Sequence, residues 1–466
     1  MRELLNSAQK ADSVRATSQV VVRDKLWIIA VLFLGNSILR GIRAPDRFAC
    51  SHLLFNYDFG FTRRALLGTL LQSVGIPALC HYDFCFYFSL ALFSANMALL
   101  LALTRQLIHK DSGLVALVFV SSLAVVFLSH EVGYLDHVGL LFTLLFMRIQ
   151  GGFRVRALVL TLFLPLLLLI HDTSFMTFSP VLFFILLKQL RQQPGRSNIA
   201  CFTLLLISMA TLAVWFGTVH LSDRAAMSMY HELQAKADYP LRQGIFVLHT
   251  VTSSDSMRML WPTLGTALFS RIFFLSSIVL LPTAVYFLFH SLSILAEKRE
   301  SILLRAVAVA ASLLPLLFNL VGEDVPRWTA LAATTSFLVF AACALDRTEA
   351  QPTWSFSGLW LPVTLIVLNL GSSLPLFNGF VVKTIPYEEH INYVEQLLSG
   401  AESFPPRPEL CDEVGCAAVT RFGCSKSAVA LGFDGTIKNE GPPCFAFPAE
   451  AFQKLGERQR AFMTQK

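Results

Sequence analysis

Apolar residues in this chain fall into long runs separated by short polar segments. A bilayer core of roughly 30 Å takes about 20 apolar residues of helix, and about eleven runs reach or approach that length. They start near Leu26, Phe84, Leu114, Val138, Ala157, Phe175, Ala200, Ile272, Ile302, Trp328 and Ser355. The pattern predicts an all-α integral membrane protein of about eleven transmembrane helices filling residues 26–379. The runs around Val138, Ala157 and Phe175 are short, which fits tightly packed or re-entrant helices whose ends meet a water-filled cavity. The stretch Ala-Leu-Leu-Gly-Thr-Leu-Leu-Gln-Ser-Val-Gly-Ile between Arg64 and Ile76 is apolar but too short to span. It is predicted to lie along the interface as an amphipathic helix. No small-residue cleavage site follows the first run, Leu26 to Ile42, and Arg40 and Arg43 flank its outer end, so it reads as an uncleaved first helix.

Composition supports the membrane reading. With 55% apolar and 15% charged residues in 466, the chain has too little polar surface to cover a soluble globule. The formal charge of +6 does not imply nucleic acid, because Lys and Arg are spread over the short segments instead of forming one patch. They act as topology signals. A cytoplasmic segment 1–25, with Arg2, Lys10, Arg15, Arg23 and Lys25, places Arg105, Lys110, Arg148 to Arg156, Lys188 to Arg196, Lys298 to Arg305 and Arg347 inside as well. The exceptions are Arg40, Arg43, Arg47, Arg63 and Arg64 in the first outer segment, and a longer loop from about Leu221 to Phe269. Cations where topology disfavours them invite a functional reading.

An odd number of crossings puts the mixed, Pro-rich segment 380–466 outside, as an extracytoplasmic C-terminal domain. Four of the nine cysteines, Cys411, Cys416, Cys424 and Cys444, lie there, where an oxidising compartment permits two disulfides; zinc is the alternative, although no CxxC pair is present. The other five lie in or near apolar runs and read as buried small hydrophobes. The chain has no N-x-S/T sequon, which points to a bacterial source and so to a bacterial inner membrane.

Four polar clusters face the outer side under this topology. Asn56-Tyr57-Asp58-Phe59-Gly60-Phe61-Thr62-Arg63-Arg64 offers a carboxylate base beside two guanidiniums able to grip phosphate; the alternative is an interfacial turn with Asp58 bridged to Arg63 or Arg64. Ser129-His130-Glu131-Val132-Gly133-Tyr134-Leu135-Asp136-His137 holds proton-transfer or hard-metal ligands, and His130, Tyr134 and His137 share one face if the segment is helical; the alternative is a solvated loop. His171-Asp172-Thr173-Ser174 sits between two apolar runs, where ionisable groups face a bundle interior or cavity, or where Asp172 or Thr173 caps a helix. Gly322-Glu323-Asp324-Val325-Pro326-Arg327-Trp328 puts two acids and an Arg in one tight turn, more than an interfacial Trp328 requires.

The architecture, with Asn-Tyr-Asp-Phe-Gly-Phe-Thr-Arg-Arg in the first outer loop, Asp136 at the head of a helix and Glu-Asp-Val-Pro-Arg-Trp late in the chain, resembles the polytopic GT-C type glycosyltransferases that use lipid-linked sugar donors. The resemblance spans roughly Leu26 to Phe377. It implies Asp58 as catalytic base, an interfacial helix after Arg64, and Arg63, Arg64 and Arg327 as ligands of the donor phosphate. The polar clusters themselves add His171, Asp172 and Asp324 to the expected substrate site. Asp58 has no acidic neighbour, unlike the paired motif of several of these families. A cofactor is not specified; Mg2+ or Mn2+ is the candidate for an Asp136–His137 site. The chain is similar, less closely, to bacterial polysaccharide polymerases that use polyprenyl-pyrophosphate-linked units.

The expected activity is an inverting transfer of sugar from a polyprenyl-phosphate donor to a glycan or lipid acceptor at the extracytoplasmic face. A transporter or flippase of lipid-linked saccharide is the competing class. It fits less well, because transporters keep ionisable residues near the midplane and often show internal repeats, and neither is visible here.

Overall fold

The computed structural model describes residues 22–75, 80–239, 275–320, 325–347 and 359–372, with short pieces at 241, 245–246, 249–250, 252, 375–378, 381–384, 391, 394–395, 397–398, 429–431 and 437–439. Asp324, the tail cysteines Cys411, Cys416, Cys424 and Cys444, and the starts of the runs near Ile272 and Ser355 lie outside the described residues.

Each expected run carries a helix. Helix α1 covers residues 22–39; Arg23, Asp24 and Lys25 lie in its first turn and the rest is apolar but for Asn36 and Ser37. The first loop follows, with α2 (Arg47–Leu54), a 3₁₀ turn (Tyr57–Phe59) and α3 (Leu66–Ser73). Next come α4 (Tyr82–His109), α5 (Gly113–Val120), α6 (Leu123–His130), α7 (Asp136–Arg148), α8 (Phe153–Ile170), α9 (Asp172–Gln192), α10 (Arg196–Gly217) and α11 (Asp223–Lys236). The chain continues through α12 (Leu275–Glu297), α13 (Ile302–Leu313), α14 (Val325–Leu345) and α15 (Trp360–Gly371). Two antiparallel hairpins follow, Pro375–Asn378 with Val381–Thr384 and Val429–Leu431 with Ile437–Asn439.

Among the described residues, 7 helices are long and apolar enough to cross a membrane, or 8 if α5 and α6, bent by 44° at their junction, form one broken span. That is fewer than the expected eleven. Helices α7 and α15 are too short, at 13 and 12 residues. The runs at Ala157 and Phe175 are not short helices: α8 takes in Arg154 and Arg156, and α9 takes in Lys188 and Gln189, so both reach spanning length. In α13 the helix tightens to a 3₁₀ turn (Leu314–Leu320) around Pro315, as the missing amide of a proline favours.

Helix α14 is the axis of the bundle. Every residue from Val325 to Ala344 is buried, and α12, α13, α9 and α6 pack along it. A helix apolar on all sides belongs in the interior, and the run of Ala, Thr and Ser lets neighbouring backbones approach closely. Thr335 Oγ1 donates to Ser312 O on α13 at 2.8 Å, and Phe337 stacks on Phe119 of α5 at 3.9 Å. Helix α10 is the opposite case, with Leu204, Ile207 and Val214 exposed along its apolar surface.

The first loop is packed rather than loose. Asp46 caps α2, its Oδ1 accepting from Ala49 N at 2.8 Å. A short helix forms where one was expected between Arg64 and Ile76: it is α3, which packs on α2. Only glycine fits at position 68, because a Cβ there would sit 2.1 Å from Phe55 O. Cys50 of α2 and Cys85 of α4 form a disulfide, so these two are not the isolated small hydrophobes the sequence suggested. Cys343 is buried and unbridged as expected, Cys80 is half-buried and Cys201 is exposed.

Candidate functional site

Helix α8 ends at Ile170, His171 adopts an extended conformation, and α9 starts at Asp172. The helix cap is His171 itself, whose Nδ1 accepts from Ser174 N at 3.3 Å, and not Asp172 or Thr173. The same Nδ1 lies 2.5 Å from Ser174 Oγ and 3.5 Å from Asp136 Oδ1. Ser174 Oγ donates to Asp136 Oδ1 at 2.9 Å. The third cluster therefore docks on the second through one carboxylate.

That carboxylate also takes the cation of the fourth cluster. Arg327, on the first turn of α14, donates through Nη2 to Asp136 Oδ2, and its Nε lies 3.8 Å from Glu131 Oε2. The guanidinium stacks over Trp328 at 4.9 Å and Tyr134 at 5.5 Å. Asp136 is 1% exposed, so the Arg327 charge compensates a carboxylate removed from solvent.

Arg63 and Arg64 do not bridge to Asp58. Arg64 Nε donates to Asp172 Oδ1 at 2.8 Å and its Nη2 to Thr173 Oγ1 at 3.3 Å, while Arg63 Nη1 is 3.6 Å from Asp172 Oδ2. Arg64 adopts a left-handed backbone, φ 63°, a conformation that costs a non-glycine residue about 1 kcal/mol or more. Asp58 instead sits in the 3₁₀ turn, where it accepts from Gln72 Nε2 of α3 at 3.0 Å in an exposed position. The local salt bridge that was the alternative reading of this cluster does not form; a long-range one does, because Asp172 is brought in at the head of α9.

The second cluster is not a solvated loop. His130, Glu131, Asp136 and His137 are all buried. Nor do His130, Tyr134 and His137 share a helical face, because α6 ends at His130 and α7 starts at Asp136, with Gly133 at φ 93° turning the chain between them. Tyr134 OH donates to Asp46 Oδ2 at 3.3 Å, and Arg43 Nε donates to His130 O at 2.8 Å, so the first loop is pinned to the second. His137 Nε2 lies 3.0 Å from Leu128 O, and its ring packs edge-on to Phe93. Asp136 and His137 thus point to different partners. Among the described residues no three His, Cys, Asp or Glu are grouped to hold a metal ion.

Two histidines outside the expected set join this region. His249, from the long loop after α11, lies 3.0 Å through Nδ1 from Thr62 Oγ1 and packs edge-on to Phe55 at 4.2 Å. Burial, with Arg64 and Arg63 nearby, pushes its ionisation down to about 3. His52 of α2 is 3% exposed and faces His171 with ring centroids 6.4 Å apart. Both of its ring nitrogens lack a hydrogen-bond partner among the described residues. Burial first, then Arg64, His171, His249 and Arg327, hold it well below the ordinary histidine value and so neutral. Nothing in Cys-Ser-His-Leu-Leu announces such a role, since no charged residue adjoins His52 in sequence.

The result is one polar centre made from the first loop, the α6–α7 turn, the α8–α9 junction and the head of α14, buried at Asp136 and His171 and part-exposed at Arg63, Arg64 and Asp172. It contains Arg63, Arg64, Asp136, His171, Asp172 and Arg327 of the expected site and leaves Asp58 at its exposed margin and His137 turned away. Comparison with protein-family models, with curated proteins and with solved structures finds no match to this chain.

Proposed function

We propose that this chain is a membrane glycosyltransferase that moves a sugar from a polyprenyl-phosphate donor to a glycan or lipid acceptor at the extracytoplasmic face of a bacterial inner membrane. The observation that carries the reading is the meeting of two guanidinium–carboxylate systems, Arg327 with Asp136 and Arg63 and Arg64 with Asp172, at the adjacent residues 171 and 172. A carboxylate beside each guanidinium keeps it charged and aimed, and a guanidinium matches the geometry of phosphate oxygens.

In this reading Asp58 takes the proton of the acceptor hydroxyl. The acceptor oxygen bonds to the anomeric carbon, and the bond from that carbon to the phosphate oxygen breaks with its electron pair leaving on phosphate. Arg63, Arg64 and Arg327 offset that charge as it develops in the transition state. In-line displacement inverts the anomeric centre. The exposed position of Asp58 beside α3 suits a group that meets an acceptor arriving from outside, and α3 suits an interfacial approach of the lipid.

The Cys50–Cys85 disulfide favours placing the first loop outside, since such bonds persist in oxidising compartments. The bias of short-loop Lys and Arg towards the other side agrees. Incubating the purified protein with labelled polyprenyl-phosphate sugars, with and without divalent ions, tests the reading by release of lipid phosphate. Turnover of only pyrophosphate-linked oligosaccharide would replace it with a polymerase, and tight binding without turnover would replace it with a transporter.

A further inference from the structure

His52 is buried in the centre, and neither of its ring nitrogens is hydrogen-bonded among the described residues. A neutral imidazole carries one donor and one acceptor, and a native structure that buries both unpaired asks for an explanation. Its neighbours do not supply one. Phe48 lies edge-on at 4.7 Å and Phe55 at 5.3 Å, and His171 is committed to Ser174 and Asp136. The cations near it are Arg64 of the first loop and Arg327 of α14, with the carboxylates Asp172 and Asp136 held behind them; the other titratable groups facing it are His171 and the neutral His249 of the long loop. A polar ring facing cations and lacking an acceptor is arranged for an anion.

We propose that His52 is a substrate-binding residue that donates a hydrogen bond to the phosphate of the lipid-linked donor, between the guanidiniums of Arg64 and Arg327. The proposal rests on the glycosyltransferase reading and adds a ligand to it. An arriving phosphate reverses the field at the ring, so His52 takes up a proton as the phosphate binds. The stability cost of an unpaired buried histidine is then explained as a cost of function.

The test uses the full-length protein in detergent, titrated calorimetrically with farnesyl phosphate and, separately, with inorganic phosphate. His52→Phe keeps the shape of the ring and removes both polar atoms. The expected result is farnesyl phosphate affinity lower by about tenfold or more, with an unfolding midpoint equal to or above that of the unsubstituted protein. His52→Gln, which keeps a donor and an acceptor, should retain part of the affinity. Binding to the unsubstituted protein should take up protons, seen as an enthalpy that varies with the ionisation enthalpy of the buffer, and His52→Phe should abolish that dependence.

Equal affinity in both variants overturns the His52 contact and leaves the glycosyltransferase reading standing. Failure of both variants to fold also overturns it, since His52 would then serve the packing of α2 through Phe48 and Phe55 and not the substrate. Absence of farnesyl phosphate binding to the unsubstituted protein overturns both the contact and the reading. Equal binding of inorganic phosphate, lost in His52→Phe, supports the contact and overturns the lipid as its source.

Discussion

His171 and Asp172 are consecutive, yet their side chains serve different partners: His171 faces Ser174 and Asp136, while Asp172 takes Arg64 at 2.8 Å and Arg63 at 3.6 Å. The extended backbone of His171 at the α8–α9 junction sends the two side chains apart. One dipeptide thereby couples the first loop to the α6–α7 turn.

Removing Asp172 should disturb the first loop before it disturbs the bundle. Asp172→Ala leaves two adjacent guanidiniums without their carboxylate, and its side chain is 21% exposed, so the expected loss is about 1–3 kcal/mol. Thermal unfolding in detergent measures this. On the proposed function the same variant loses orientation of Arg63 and Arg64 and should raise the KM for the lipid-linked donor more than it lowers kcat.

Arg327 is not replaceable by lysine. Its guanidinium binds Asp136 and stacks on Trp328, a planar double role that an ammonium cannot fill. Arg327→Met should cost about 3–5 kcal/mol, because Asp136 is left buried and uncompensated. The double variant Arg327→Met with Asp136→Leu should recover most of that stability and none of the transfer activity. A double-mutant cycle measured by unfolding, with activity assayed in parallel, separates the two roles.

Asp58→Asn should be silent for folding and lethal for transfer. Its side chain accepts a single exposed hydrogen bond from Gln72, which an amide oxygen can also accept. An unchanged unfolding midpoint with lipid-phosphate release reduced at least about 100-fold is the expected outcome. Retained full activity removes Asp58 from the role of base.

The helical membrane character was legible because each run of apolar residues is its own signal, and a helix does appear in each. The span count was less legible, since charged residues such as Arg154, Arg156 and Lys188 are taken into helices α8 and α9 while α7 stops short. The polar clusters stood out for the same reason the runs did, as interruptions. Their pairing was hidden: Arg64 meets a carboxylate 108 residues away instead of Asp58, and only the packing of α9 against the first loop decides that. Cys50 and Cys85 were hidden because a cysteine flanked by apolar residues looks alike whether bridged or free. His52 gave no signal at all, being uncharged and without an ionisable neighbour in sequence.

Acidification should weaken the first loop through His249. Its folded ionisation lies at about 3, below the ordinary value of 6.5, so the unfolded chain binds the proton more readily. Stability from this group is complete above about pH 6.5 and is lost progressively as pH falls towards 3. Unfolding midpoints compared at pH 7 and pH 4.5 should fall less in His249→Phe than in the unsubstituted protein. Equal falls would assign the acid sensitivity to other groups.

The sidedness of the whole centre hangs on Cys50 and Cys85. They close a segment of 35 residues that includes α3 and all of the first cluster, and a cross-link over that length stabilises by about 4 kcal/mol on a chain-entropy account. Cys50→Ser should lower the unfolding midpoint accordingly and, by loosening α2 against α4, free the loop that carries Arg63 and Arg64. In cells the bond can form only if the first loop reaches an oxidising compartment. Membranes from a strain lacking its extracytoplasmic thiol oxidase should therefore yield protein in which Cys50 and Cys85 react with a maleimide without prior reduction, while membranes from the parent strain should not. Bridged cysteines in both strains, or labelled ones in both, would detach the first loop from the outer face and with it the proposed direction of transfer.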